Sequence, residues 1–354
     1  MLPLRDNVPT RSFPVVTVGI IAVNVVVWLW EFTGTSVDHD VLHYGYYPTL
    51  ATVLGRLATD EISRRQFVEE AVSAAPAPRP QRGRVIAVDI PATVSGFAHR
   101  PALVYLPPAW FEPRRPTLPV ILMLPGTPGL TADWTRAGAA DQTADAYADA
   151  HRGQAPILVF ADPNGSDTGD TECVDSPLGR AETYLTVDVR RWVTNTYQIS
   201  PDPDRWAVAG LSEGGTCAIE LALRHPDLFH TFADFSGDLG PTLGTPASTI
   251  SELFGGSRSV WQEHDPLTIL SRRRFPQLSG WFEAGTGDPE SLAAARRLEA
   301  AARAAGADTQ LVVRDGIHNF TFWAAAFQDA LPWLATRLGL PGPGGPGSSE
   351  ALRL

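Results

Sequence analysis

Trp206-Ala-Val-Ala-Gly-Leu-Ser-Glu-Gly-Gly-Thr-Cys-Ala218 joins three local signals in thirteen residues. Trp206 to Ala209 is an apolar run that predicts a buried strand, and Thr216 to Arg224 predicts a helix. Between them stands Gly210-Leu-Ser-Glu-Gly214, the only G-x-S-x-G in the sequence. A serine on a tight strand-to-helix turn holds its oxygen clear of the sheet, and flanking glycines let the backbone make that turn. A competing reading makes Ser212 nothing more than a helix cap, a role serine also favours.

Outward from this turn, short apolar runs alternate with helical patterns. Arg84 to Ile90 and Ala102 to Leu106 read as opening antiparallel strands. Val120 to Leu124, Ile157 to Ala161, Thr231 to Phe235, Gly280 to Ala284 and Gln310 to Val313 read as buried strands. Ala181 to Tyr197 and Pro289 to Ala305 read as helices. Short, wholly apolar strands separated by helices imply a mostly parallel sheet covered on both faces. The expected fold class is therefore α/β, an α/β-hydrolase domain over residues 84–338.

A serine hydroxyl is a weak nucleophile and needs a base, itself oriented by a carboxylate. In this fold the chain order is serine, acid, histidine. Of eight histidines, His318 follows the last expected strand, in Gly316-Ile-His-Asn-Phe-Thr-Phe-Trp323, and is the candidate base. His225 and His230 flank the end of the elbow helix, where a histidine complements the helix dipole. The acid is expected after the penultimate strand, where Trp281-Phe-Glu-Ala-Gly-Thr-Gly-Asp288 offers Asp288. Asp288-Pro289-Glu290 equally fits an N-cap followed by a first-turn proline, and Glu283 is the reserve acid. Oxyanion donors are expected from the backbone N–H groups of Glu213 and of Thr127, in Leu124-Pro-Gly-Thr-Pro-Gly129; Pro128 has no N–H to give.

The 354 residues carry a net charge of −11, which argues against nucleic acid as a partner, since phosphate binding needs a basic face. No cofactor and no metal are expected. The acidic segment Asp162 to Asp170 lacks a calcium-loop pattern and reads as a solvated loop. The two cysteines, Cys173 and Cys217, are expected to form a disulfide closing a loop of about 44 residues if the domain lies in an oxidising compartment; two unrelated buried thiols are the alternative.

Residues 1–12 form a polar leader, and Ser12 to Trp30 contains no charged side chain. About 19 residues at a rise of 1.5 Å span about 28 Å, close to a bilayer core. Arg5 and Arg11 precede this segment and Glu31, Asp38 and Asp40 follow it. That charge order predicts one transmembrane signal anchor (13–32) with the catalytic domain extracytoplasmic at the cell membrane; a cleaved signal peptide is the alternative. Residues 33–83 end in Ala74-Ala-Pro-Ala-Pro-Arg-Pro-Gln-Arg-Gly83 and read as a linker, and the proline- and glycine-rich 339–354 as a disordered tail.

Leu118-Pro-Val-Ile-Leu-Met-Leu-Pro-Gly, the elbow, Gly285-Thr-Gly-Asp288 and Gly316-Ile-His-Asn-Phe-Thr-Phe-Trp323 together resemble the esterase D-like and mycolyltransferase-like branch of the α/β-hydrolases. The resemblance covers about residues 84–338. It implies Ser212 as nucleophile, His318 as base, Asp288 as acid, and Glu213 and Thr127 at the oxyanion hole. Cys173-Val-Asp-Ser and Gly215-Thr-Cys217 are similar to membrane-anchored members. Three positions depart from common family usage: Pro125 in place of histidine, Glu213 in place of an uncharged side chain, and Ile317 in place of glycine. Residues 1–48 resemble the leader and first membrane helix of rhomboid proteases, but a rhomboid site needs several membrane helices and one candidate span exists. The expected activity is hydrolysis of small-molecule or lipid carboxylic esters through an acyl-enzyme. Acyl transfer to a sugar hydroxyl, and a non-catalytic surface-binding module, are the alternatives.

Overall fold

The computed structural model describes residues 80–342. The leader, the 13–32 span, the rhomboid-like stretch, most of the 33–83 linker and most of the tail lie outside the described residues. Among those described, no helix is long and apolar enough to cross a membrane.

Eight strands form one sheet: β1 (Arg84–Val88), β2 (Ala102–Leu106), β3 (Val120–Leu124), β4 (Ile157–Phe160), β5 (Trp206–Leu211), β6 (Thr231–Phe235), β7 (Ser279–Gly285) and β8 (Asp308–Arg314). Their spatial order is β1-β2-β4-β3-β5-β6-β7-β8. β2 pairs antiparallel with both β1 and β4, and every pairing from β4 to β8 is parallel. This is the mainly parallel α/β-hydrolase sheet that the strand runs imply. Parallel neighbours need crossovers, and helices supply them, among them α1 (Ala140–Ala150), α2 (181–197), α3 (Glu213–Arg224) and α4 (Pro289–Ala304), while α5 (Phe320–Arg337) follows the last strand and packs back on the sheet.

Strand side chains alternate between faces, and β3 shows why its sequence has no polar residue. Val120, Leu122 and Leu124 join a core with Ala218 and Ile219 of α3 and Leu298 of α4, while Ile121 and Met123 are equally buried on the other side. There Trp134 packs edge-on against Phe235 of β6 and Phe327 of α5. Burying one such side chain is worth roughly 1.5–3 kcal/mol.

Several boundaries move. β1 ends at Val88 rather than Ile90, and β5 runs on through Leu211. The elbow helix starts at Glu213, three residues early, because the Ser212 carbonyl already accepts the N–H groups of Gly215 and Thr216. The 181–197 helix is interrupted by a π-helical stretch, Tyr184–Val189. α1 escapes sequence reading because it buries only Ala140, Ala144 and Ala148, a stripe too small to register as apolar. Pro246–Phe254 and Pro266–Arg272 are short helices, each started by a side-chain cap, Thr245 and Asp265.

Asp162 is a correction to the solvated-loop expectation. Its carboxylate is fully buried and paired with Arg100, Nη2 to Oδ1 at 2.5 Å and Nε to Oδ2 at 3.0 Å. The N–H groups of Arg100, Asn164 and Gly165 complete its shell. A buried carboxylate is tolerated when its oxygens are satisfied in this way.

Candidate active site

β5 delivers the chain into Ser212 at φ 54° and ψ −124°, outside the regions a side-chain-bearing residue prefers. The turn is so tight that a Cβ on Gly210 would sit 2.1 Å from the Gly214 carbonyl oxygen. Ser212 N–H donates to the Phe235 carbonyl of the neighbouring strand at 2.9 Å. Although Ser212 occupies the N-cap position of α3, its hydroxyl makes no capping bond. The cap-only reading therefore fails, and the hydroxyl is engaged elsewhere.

Its partner is His318, with Nε2 2.9 Å from Ser212 Oγ. The other ring nitrogen, Nδ1, lies 2.7 Å from Asp288 Oδ2. All three residues sit just past the carboxyl ends of parallel strands β5, β7 and β8. A carboxylate on Nδ1 favours the tautomer with its proton there, leaving the Nε2 lone pair to accept the serine hydroxyl. Trp323 packs edge-on to the imidazole with centroids 4.9 Å apart. Asn319 accepts the Phe322 N–H and starts α5 immediately after the histidine.

Asp288 is also the N-cap of α4: its Oδ1 accepts the Ser291 N–H at 3.4 Å. One carboxylate thus starts the helix and contacts the His318 ring. Glu283, the reserve acid, points elsewhere. It is fully buried within β7, where it accepts from Trp281 Nε1 at 2.9 Å and faces Arg314 at 3.7 Å. Burial pushes its carboxyl up to about 7, against the Trp281 bond. The hydrogen bond that His318 Nδ1 makes goes to Asp288, not to Glu283.

The loop after β3 lies against the nucleophile, since a Cβ on Gly126 would come within 2.9 Å of Ser212 Cβ. The next residue, Thr127, is held by its hydroxyl, which donates to the Gly169 carbonyl at 2.5 Å. Arg100 Nη1 donates to the Gly129 carbonyl at 2.8 Å, so the Arg100–Asp162 pair braces the far end of the same loop. Glu213 starts α3 directly after Ser212, and its side chain is buried and accepts from Asn164 Nδ2 at 2.7 Å. Arg100, Asp162 and Asn164 hold the Thr127 loop and the Glu213 side chain, contacts that the sequence pattern does not announce. Asp162-Pro-Asn-Gly-Ser166 carries only a turn signal, and the Arg100 partner lies 62 residues away.

Cys173 and Cys217 form a disulfide that ties α3 to the loop before Asp175. Among the described residues the one group close enough to hold a metal ion is Cys173, Glu213 and Cys217, and the bridge consumes both sulfurs. The remaining helix-end histidines are paired: His225 with Glu182 at 2.7 Å, and His230 with Asp204 and His264 with Glu220, each at 2.6 Å. His225 follows α3 directly, and its ring bonds the Glu182 carboxylate while its backbone N–H donates to the Leu221 carbonyl.

Residues 98–334 match the family described as "Putative esterase". An uncharacterized protein of Corynebacterium glutamicum is 36% identical over 254 residues, 70% of this chain and 60% of that protein. The chain thus spans less than two thirds of the length of that relative. A diacylglycerol acyltransferase/mycolyltransferase of Mycobacterium gordonae is 25% identical over 56% of this chain and 68% of its own length. Among solved structures, an S-formylglutathione hydrolase from Agrobacterium tumefaciens superposes with a TM-score of 0.61 at 21% identity, covering 76% of this chain and 99% of that one.

Proposed function

This chain belongs to the "Putative esterase" family, and we propose that it is an ester-hydrolysing or acyl-transferring enzyme, a serine esterase working through Ser212, His318 and Asp288. The observation that carries the reading is the unbroken hydrogen-bond line from Ser212 Oγ through the imidazole to Asp288, 2.9 Å then 2.7 Å. Ser212 Oγ attacks the ester carbonyl carbon as its proton passes to His318 Nε2. Negative charge gathers on the carbonyl oxygen, to be met by the N–H groups of Glu213 and Thr127. Collapse expels the alcohol, which takes the proton from Nε2, and leaves an acyl-serine. Water then attacks that ester, again giving its proton to Nε2, and the acid departs as serine recovers its hydrogen.

Acyl transfer to a sugar hydroxyl is the second reading, favoured by the sequence similarity to the mycolyltransferase. It differs only in which oxygen nucleophile meets the acyl-enzyme. For location, we propose an extracytoplasmic domain on a membrane anchor at 13–32; the Cys173–Cys217 bridge supports it, because disulfides persist in oxidising compartments. The test is labelling with a fluorophosphonate probe alongside Ser212→Ala. Labelling that survives the substitution, or none in the parent, defeats the proposal. Nitrophenyl esters of graded chain length, with and without sugar acceptors, then separate hydrolysis from transfer.

A further inference from the structure

A carboxylate in the first turn of a helix ordinarily faces solvent and gains from the helix dipole. Glu213 does neither thing in the ordinary way: it follows the nucleophile directly and is 5% exposed. Its Oε2 accepts from Asn164 Nδ2 at 2.7 Å, while Oε1 is buried without a hydrogen-bond partner. Asn164 is itself buried, and its Oδ1 accepts the Thr171 N–H at 2.9 Å, which fixes the orientation of its amide. The same Nδ2 reaches Thr127 Oγ1 at 3.4 Å. One buried amide therefore touches both residues whose backbone N–H groups are assigned to the oxyanion.

We propose that Glu213 is a positioning residue whose side chain, through Asn164, straps the Thr127 loop to the start of α3 and so sets the spacing of the two oxyanion donors. This rests on the reading of Ser212 as nucleophile. An oxyanion hole works only when its donors are already aimed before charge develops. Two loops meeting at a turn have no backbone ladder to hold that aim, and the Glu213–Asn164 bond supplies the missing tie.

The strap operates uncharged. Burial pushes the Glu213 carboxyl up to about 8, Asp170 adds to the rise, and Asn164, Thr127 and the Glu172 N–H oppose it. The ionisable groups facing it are Asp170 and Glu172 of the 162–175 loop, both acidic, and Glu172 is itself pushed up by burial and by Glu213. Near neutral pH the proton stays on, so no fixed negative charge lies beside the developing one. Deprotonation above that range would set a carboxylate against the oxyanion and against Asp170.

Steady-state hydrolysis of 4-nitrophenyl acetate between pH 6 and 9 tests the strap in the full chain. Glu213→Leu, which keeps bulk but accepts no hydrogen bond, is expected to lower kcat by roughly tenfold to a hundredfold with KM nearly unmoved, the pattern of lost transition-state stabilisation. Asn164→Ala should do the same, and the double variant should be no worse than either alone, because one tie is cut once. The parent's kcat is expected to fall as pH rises through about 8, and Glu213→Gln should retain most of kcat and remove that fall. Unchanged kcat in Glu213→Leu, losses that multiply, a loss confined to KM, or a Gln variant that keeps the alkaline fall would each overturn the strap. If Glu213→Leu does not fold, the pH profile of Glu213→Gln decides by itself. A parent without Ser212-dependent turnover would instead overturn the esterase reading.

Discussion

Asp288 divides its two oxygens between His318 and the start of a helix. Oδ2 lies 2.7 Å from His318 Nδ1, and Oδ1 accepts the Ser291 N–H at 3.4 Å. Orientation of the base is thereby built into the cap of α4.

The division separates two substitutions. Asp288→Asn can still cap, so thermal stability should hold while kcat falls roughly 10⁴-fold through loss of the correct imidazole tautomer. Asp288→Ala should lose about 1 kcal/mol of stability in addition. Glu283→Gln should leave turnover within about twofold, because Glu283 faces Trp281 and Arg314. Kinetics of the three variants check this, and a large kcat loss in Glu283→Gln would reassign the acid.

Gly126 has no room for a methyl group. With Ser212 Cβ 2.9 Å away from the position of an added Cβ, Gly126→Ala must push the Thr127 loop off the elbow. We expect kcat to fall by roughly a hundredfold, with the melting temperature little changed. Parent-like kcat would show that the loop does not aim a donor.

The bridge between Cys173 and Cys217 closes a separation of 44 residues. Loop-closure entropy assigns such a link about 4 kcal/mol. Cys173→Ser with Cys217→Ser, or treatment with a reductant, should lower the denaturation midpoint accordingly, and the double variant should no longer respond to reductant. An unchanged midpoint would mean the loop is held by its polar contacts alone.

Stability should decline from mildly acidic to mildly alkaline pH. Burial raises Asp234 and Glu283 to about 7 and Glu213 to about 8, from ordinary values of 3.8 for Asp and 4.5 for Glu. A group whose folded-state value is raised stabilises fully below its unfolded value and loses that contribution as pH climbs through the folded one. Between about pH 5 and 8.5 the melting temperature should therefore fall. Glu182 acts oppositely: burial pushes its carboxyl up, but His225 and Arg224 outweigh this and hold it at about 2, so its contribution disappears as pH drops toward that value. Scanning fluorimetry across pH 3–9 reads both limbs; a midpoint that rises from pH 5 to 8.5 contradicts the assignment.

The inner parallel strands were legible because they are buried on both faces and so run largely apolar without alternation, as in Val-Ile-Leu-Met-Leu124, whereas the edge strand β8 mixes exposed and buried positions. Ser212, Asp288 and His318 were legible because each follows such a strand, in an order the sheet dictates. Both signals at Asp288 have a structural counterpart, a bond to the Ser291 N–H and a contact with His318 Nδ1. What stayed hidden was support reached through long separations: Arg100 to Asp162, and Asn164 to Glu213. Polar residues in a turn-like sequence look the same whether water or a buried partner satisfies them. Helices such as Ala140–Ala150 stayed hidden because alanine buries little surface and leaves no periodic contrast.

The left-handed backbone of Ser212 implies that the fold is weakened by its own reactive centre. Holding a residue with a side chain at φ 54° costs about 1–3 kcal/mol, and glycine would remove most of that penalty. Ser212→Gly should consequently be inert yet melt higher than the parent. Under the proposed function, that penalty is what it costs to hold a nucleophilic hydroxyl clear of the sheet.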